Sequence, residues 1–284
     1  MRLPSRTAPT STAAAVLRYA ALLALAVLVL APFVWVMTSS FRPTADIFRY
    51  SGDPGWRMLI PDSFTLEHYK STMRPEFLRA LANSLFVAGA TVVLGIIINA
   101  TAGFAFAVFE FPFRRALFVL VLVSFMMPFE SIIIPLFVLI RALGWTNSYQ
   151  ALILPEVANG LVIFLFRQLF VAIPREMYEA ARIDGASWPQ IFLRIAMPLS
   201  GPTVATAALM LFILQWDAFF WPLVAASAPE YTVVQVAIVR NMTLEQSNWG
   251  AMFASTSTAV LIAAVPFLFL QRYYVRTIVD SGIK

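Results

Sequence analysis

Ile173–Pro198 reads IPREMYEAARIDGASWPQIFLRIAMP, a polar interruption between two apolar stretches. Its residue order predicts a helix, a turn and a second helix. Pro174 suits a first helical turn, where its missing N–H would have had no partner. Arg175 with Glu179, and Glu179 with Arg182, fall at neighbouring helix positions. Gly185 fits the left-handed residue that ends such a helix, and Ser187 can cap the next one with Pro189 in its first turn. Met177, Ala180, Ala181 and Asp184 share one side of the first helix and leave it smooth and apolar. A short exposed helix of this kind fits two roles: insertion into a groove of another protein, or an amphipathic position on a membrane surface.

The flanking stretches set the class. Of 284 residues, 60% are apolar, against roughly 45–50% in soluble domains. Only 12% are charged, about half the usual share. So few charges cannot dress a water-facing surface, so lipid is the expected solvent. A helix needs about 20 apolar residues to cross a bilayer core of about 30 Å. Six stretches qualify: Tyr19–Phe41, Ala80–Phe109, Ala116–Ile140, Ala151–Val171, Thr203–Ala228 and Gly250–Leu270. The first is too long for a signal peptide and lacks a clear small-residue cleavage site, which favours an anchor. The second carries Gly89, Gly95 and Gly103, small residues that let helices approach closely. The third is interrupted by Pro128, Glu130 and Pro135, and the fourth holds Pro155, Glu156 and Arg167. The expected fold is an all-α integral membrane protein of six transmembrane helices. Its domain spans 16–272, between tails 1–15 and 273–284. The two halves show no obvious repeat.

Arginine placement gives the orientation, because cytoplasmic flanks retain positive charge. Arg2, Arg6 and Arg18 precede the first span, Arg114 and Arg115 join the second and third, and Arg175, Arg182 and Arg194 join the fourth and fifth. Arg272, Arg276 and Lys284 close the chain. Both termini and the 174–198 loop are therefore expected in the cytoplasm. The loop from Arg42 to Arg79 offsets its basic residues with five carboxylates and should form a small irregular external lobe.

Several chemistries are excluded. Without cysteine there is no disulfide, thiolate metal site or thiol nucleophile, and His68 is the sole histidine. His68 is expected as a surface residue far from any nucleophile elbow. Neither lysine, Lys70 or Lys284, follows a phosphate-cradling glycine loop, so the chain binds no ATP by that device. The formal charge of +5 reflects topology rather than nucleic-acid binding. Asp217 lies inside the fifth apolar stretch, where a carboxylate costs about 2.5–3.5 kcal/mol on insertion scales. Glu130 poses the same problem. Each either faces a wet solute path or bonds to a neighbouring helix. Trp216, Phe219, Phe220 and Trp221 cluster beside Asp217, either as an interfacial aromatic belt or as faces on which a sugar ring could stack.

The 174–198 segment resembles the "EAA" loop of permease subunits of binding-protein-dependent ATP-binding-cassette importers: Glu-Ala-Ala, three residues, Gly, nine residues, Ile-x-Leu-Pro. Glu179, Ala180, Ala181, Gly185, Ile195 and Pro198 match, with Met197 in place of leucine. The wording Glu179 to Ser187, Phe166-Arg167-Gln168 and Trp221-Pro222-Leu223 are similar to the carbohydrate-uptake, maltose-transport branch. Trp216-Asp217-Ala218 stands where relatives commonly have Trp-Asn-Glu. The resemblance implies a type I importer permease fold in a bacterial inner membrane, and a non-catalytic subunit that forms half of a translocation pathway. It implies a cytoplasmic coupling helix, Arg175 to Gly185, with Glu179, Ala180, Ala181, Asp184, Gly185, Ile195 and Pro198 serving ATPase coupling. Glu130, Trp216, Asp217 and Phe220 become candidate solute-path residues. Implied partners are a second similar permease, two ATPase subunits that bind the ATP and magnesium, and an extracytoplasmic solute-binding protein, with no cofactor in this chain. The solute would be a sugar or a glycerol phosphate. A rival reading is an ion- or proton-coupled carrier using Asp217 and Glu130, although such carriers usually show paired repeats.

Overall fold

A span that cannot hydrogen-bond to lipid must satisfy its own backbone, so helices are the only regular elements such a sequence can use. The computed structural model describes residues 12–50, 52, 55–240 and 248–281, with 270–281 as backbone alone. Among the described residues every regular element is helical. Three helices are long and apolar enough to cross a membrane, and three bent pairs bring the total to six if each pair is one span. Arg2, Arg6, Lys284 and the first eleven residues of the expected N-terminal tail lie outside the described residues.

The described residues form two compact units. The first comprises the described residues of 1–72 and 241–257. Its α1 (Thr12–Ser39) starts about two turns before Tyr19, and no residue of its most apolar window is buried, a surface suited to lipid rather than water. The lobe that follows contains two short helices, α2 (Trp56–Leu59) and α3 (Glu67–Thr72). Arg42 is its internal tie: the guanidinium is buried, and Nη2 donates to the carbonyls of Arg57 at 2.7 Å and Met58 at 2.8 Å. His68, expected at the surface, is also buried, with Nε2 2.8 Å from the Arg42 carbonyl oxygen. Its ring fills the space that a side chain at Gly250 would need. Those partners are distant in sequence, so local polarity misplaced the histidine.

The second unit comprises 73–240 and 258–284. Its central member is α4 (Pro75–Val108), followed by α5 (Arg114–Met126), α6 (Ile133–Ala142), α7 (Tyr149–Val157) and α8 (Gly160–Ala172). After the polar loop come α9 (Arg175–Ile183), α10 (Trp188–Ile191), α11 (Met197–Leu199), α12 (Gly201–Trp216), α13 (Phe220–Ala225) and α14 (Val234–Arg240). The long α15 (Trp249–Ser281) begins in the first unit, crosses into the second at 258 and stays helical well past Leu270, through most of the stretch read as a tail.

One break falls where the sequence withdraws a backbone donor. Pro128 follows the end of α5, and the α5–α6 pair bends by 98°. Pro135 is tolerated because it sits in the first turn of α6. The fifth stretch is shorter than its composition suggests: α12 stops at Trp216, and 217–219 separate it from the short α13. Gly103 permits a close approach within this unit. A β-carbon there would lie 2.7 Å from Phe166 Cβ and 2.9 Å from Arg167 N, so α4 and α8 meet backbone to backbone. Gly89, read from the sequence in the same way, has open space instead. Around Gly103, Phe104, Val162, Phe166, Phe170, Ile191 and Leu211 form a buried core.

Candidate functional site

The polar loop folds as its residue order requires. Pro174 precedes α9, and Gly185 takes φ +82° to end it. Ala186 N–H then donates to the Ala181 carbonyl at 3.0 Å, closing the helix with the bond such a turn provides. At α10, Gln190 Oε1 accepts from the Ser187 backbone N–H at 2.8 Å and from its hydroxyl at 3.0 Å. Tyr178 anchors α9: it is 6% exposed, its ring meets Phe104 edge-on at 6.0 Å, and its hydroxyl donates to the Phe170 carbonyl at 3.2 Å. Burial pushes this phenol up to about 12, because the phenolate would lose its water.

The faces of α9 differ from the sequence expectation. Ala181 packs inward against the Phe104–Phe170 core beside Tyr178. The outward face carries Met177, 43% exposed, and Ala180, and it ends at Ile183, 86% exposed. Ile183 was not singled out from the sequence, although its spacing of three from Ala180 was the available signal. Asp184 and Gly185 are exposed at the tip. The Arg175–Glu179 and Glu179–Arg182 pairs do not close, since among the described residues Arg49–Asp46 is the ion pair within 4.0 Å. Arg182 instead donates to the Ala186 carbonyl at 2.8 Å and lies over the Trp188 ring at 5.2 Å. Its charge thus holds the turn after α9.

Ile195 and Pro198 stand apart from that outward face. Ile195 lies in a widened π turn, Phe192–Ala196, and packs against the core, while Pro198 is exposed in α11. The Trp188–Leu199 segment and α12 meet at 83°, and at this corner the buried Ser200 hydroxyl donates to the Ala196 carbonyl at 2.6 Å. The motif's first half is therefore an exposed helix and its second half the corner connecting that helix to a span.

The candidate solute-path residues divide. Trp216 is buried and stacks on Phe212 with centroids 5.5 Å apart. Trp221 is also buried, and its Nε1 donates to the Ala151 carbonyl at 2.8 Å. Both indoles are core members rather than an interfacial belt. Asp217, by contrast, is exposed in the break after α12, with its backbone N–H donating to Ile213 at 3.0 Å. Glu130 is exposed in the break between α5 and α6, and Phe220 is 59% exposed at the start of α13. Two carboxylates of the apolar stretches thus sit at helix breaks, where irregular backbone at membrane depth is tolerated if it lines a cavity or is buried in protein. Among the described residues no group of His, Asp and Glu could hold a metal ion.

A family model described as "Binding-protein-dependent transport system inner membrane component" matches residues 91–280. The chain is 31% identical over 256 residues to the arabinooligosaccharides transport system permease protein AraQ of Halalkalibacterium halodurans, covering 89% of this chain and 90% of that one. It is 34% identical over 206 residues to the sn-glycerol-3-phosphate transport system permease protein UgpE of Agrobacterium fabrum, covering 72% and 73%. In fold it matches a bacterial ABC transporter involved in importing the acidic polysaccharide alginate, with a TM-score of 0.80, 22% identity, and coverage of 96% and 100%. A chain whose described residues fold only as helices, with up to six spans and matches of this extent, belongs to the family of binding-protein-dependent transport system inner membrane components, the permease subunits of ABC importers.

Proposed function

We propose that this permease takes up a sugar, an oligosaccharide or a glycerol-phosphate-type solute, and that α9 is the lever through which separate ATPase subunits drive it. One observation carries the coupling role. α9 presents Met177, Ala180 and Ile183 outward while Tyr178 locks its opposite face into the core. An apolar face on a rigidly held short helix suits insertion into a groove, and the lock passes a push on that face to α4 and α8. Two ATPase subunits, holding ATP and magnesium, would press on this helix and on its counterpart in a second permease. The 174–198 loop and both termini then lie in the cytoplasm, and a solute-binding protein delivers cargo on the other side. ATP shifts the assembly between inward- and outward-open states by binding one of them better. Relatives named for arabinooligosaccharides and for glycerol 3-phosphate support the solute class. Within the path, Glu130, Asp217 and Phe220 are the side chains available to touch solute, and Trp216 positions the break that carries Asp217.

The test is Ala180→Trp, which enlarges the outward face and leaves the Tyr178 lock intact. Membrane insertion should persist while capture of the ATPase and solute uptake are lost. Wild-type uptake by this variant, or uphill transport by the lone polypeptide in proteoliposomes, would overturn the reading.

A further inference from the structure

Between α9 and the ends of three spans lies a cavity of about 260 Å³, bordered by Arg114, Arg167, Arg175, Glu179, Phe170 and Val171. Three guanidiniums face one carboxylate. Among the described residues none of the three has a carboxylate within 4.0 Å, so their charge is not consumed by the protein. Two are oriented in advance. Arg114 Nη1 donates to the Phe109 carbonyl at 2.9 Å, and the Arg167 guanidinium rests 4.3 Å from the centroid of the Phe118 ring. Each guanidinium has five N–H donors in a planar fork, and Arg114 spends one of them on Phe109. The remaining donors match phosphate oxygens in pairs.

The position of the cavity selects the phosphate's source. It lies where α4 ends, α5 begins and α8 ends, which is where spans leave the hydrocarbon and lipid headgroups begin. Val171 at its border is 53% exposed, and Leu117, one turn into α5, is 44% exposed. These are apolar surfaces for acyl chains beside a basic hollow for a headgroup. We propose that this cavity binds the phosphodiester headgroup of an anionic membrane lipid. Because Arg175 and Glu179 belong to α9 while Arg114 and Arg167 belong to α5 and α8, an occupied cavity ties the lever to the spans. The binding site stands on the cavity alone, and its influence on uptake rests on the coupling role proposed above.

Native mass spectrometry distinguishes the possible occupants, using the permease and the assembled importer released from nanodiscs of equimolar phosphatidylcholine and phosphatidylglycerol. Wild-type protein should retain phosphatidylglycerol over phosphatidylcholine. Arg167→Gln and Arg114→Gln should each lower that retention about tenfold, the loss expected for one charge-assisted contact. Arg167→Lys, which keeps the charge, should retain most of the preference. Equal retention of the two lipids, or undiminished preference in both glutamine variants, would overturn the proposal. So would displacement of the lipid by inorganic phosphate, which would assign the cavity to a soluble anion. Loss of the lipid when the ATPase joins would assign it to an ATPase carboxylate and would overturn the proposal equally.

Discussion

Asn99 Oδ1 accepts the backbone N–H of Asn159 at 2.9 Å, while the same carboxamide donates to the Val157 carbonyl at 2.8 Å. These two bonds span the point at which α7 and α8 part at 44°. A break inside a span strips backbone groups of their helical partners, and lipid offers no replacement. One buried side chain on α4 supplies both a donor and an acceptor. Asn159 then caps α8, its Oδ1 accepting from Leu161 N–H at 3.1 Å and Val162 N–H at 3.2 Å.

Replacing Asn99 with leucine removes both bonds and leaves the Val157 carbonyl and Asn159 N–H unpaired. Each unsatisfied buried group costs about 1–3 kcal/mol. Thermal unfolding of the purified variant in detergent should occur well below the wild-type temperature. An unchanged midpoint would mean that water or another group already serves this break.

Gly103 and Gly89 lie on the same helix and should respond oppositely to alanine. At Gly103 the added methyl meets Phe166 and Arg167 well inside contact distance, an overpacking that costs about 1–3 kcal/mol. At Gly89 nothing lies within 4 Å, so alanine should be tolerated within about 1 kcal/mol. A paired stability measurement separates the two sites. Equal effects would contradict the close α4–α8 approach.

For Gly185, backbone angle rather than space decides. A β-carbon there meets nothing within 4 Å, yet φ is +82°. Left-handed backbone costs L-residues about 1–2 kcal/mol, and asparagine tolerates it better than valine does. Gly185→Val should insert normally but lose most uptake as the end of α9 is re-aimed, whereas Gly185→Asn should keep most of it. Uptake assays on both variants provide the check, and equal activity would remove the turn from the coupling role.

Tyr178 gives a pH dependence whose sign is fixed. The unfolded phenol ionises near its ordinary 10.0, while the folded one does so at about 12. Between those values the folded state alone keeps the proton. The stability this confers is complete below 10 and is lost as pH rises through 12. Tyrosine absorbance should show a late-titrating component that Tyr178→Phe removes, together with the alkaline destabilisation. A titration unchanged by the substitution would place the anchor in water.

Much of this was legible in the chain because it depends on local order. Pro174, the 179–181 triplet and Gly185 specify the loop through helix start, face and stop signals that act within a few residues. The spans were legible because bilayer thickness demands a fixed run of apolar side chains, and Pro128 announced the break it causes. Less could be read where two roles share one composition. Trp216 and Trp221 have the same indoles as an interfacial belt or a sugar platform, and their burial depends on α7, α6 and Phe212 closing around them. Ala180 and Ala181 are identical as residues, yet one faces outward and the other packs on the core.

Residue order alone dictates that the chain lives in lipid, that its spans are helical, and that a capped, exposed helix interrupts them. Hydrophobic run length, proline and positive-φ glycine act locally and need no partner. Long-range packing is what buries His68 and Arg42, brings Asn99 to repair a broken span, and makes Arg114, Arg167 and Arg175 converge on one cavity. Each of those facts is a meeting of distant residues. Burial and unpaired charge follow from what packs alongside, which composition does not encode.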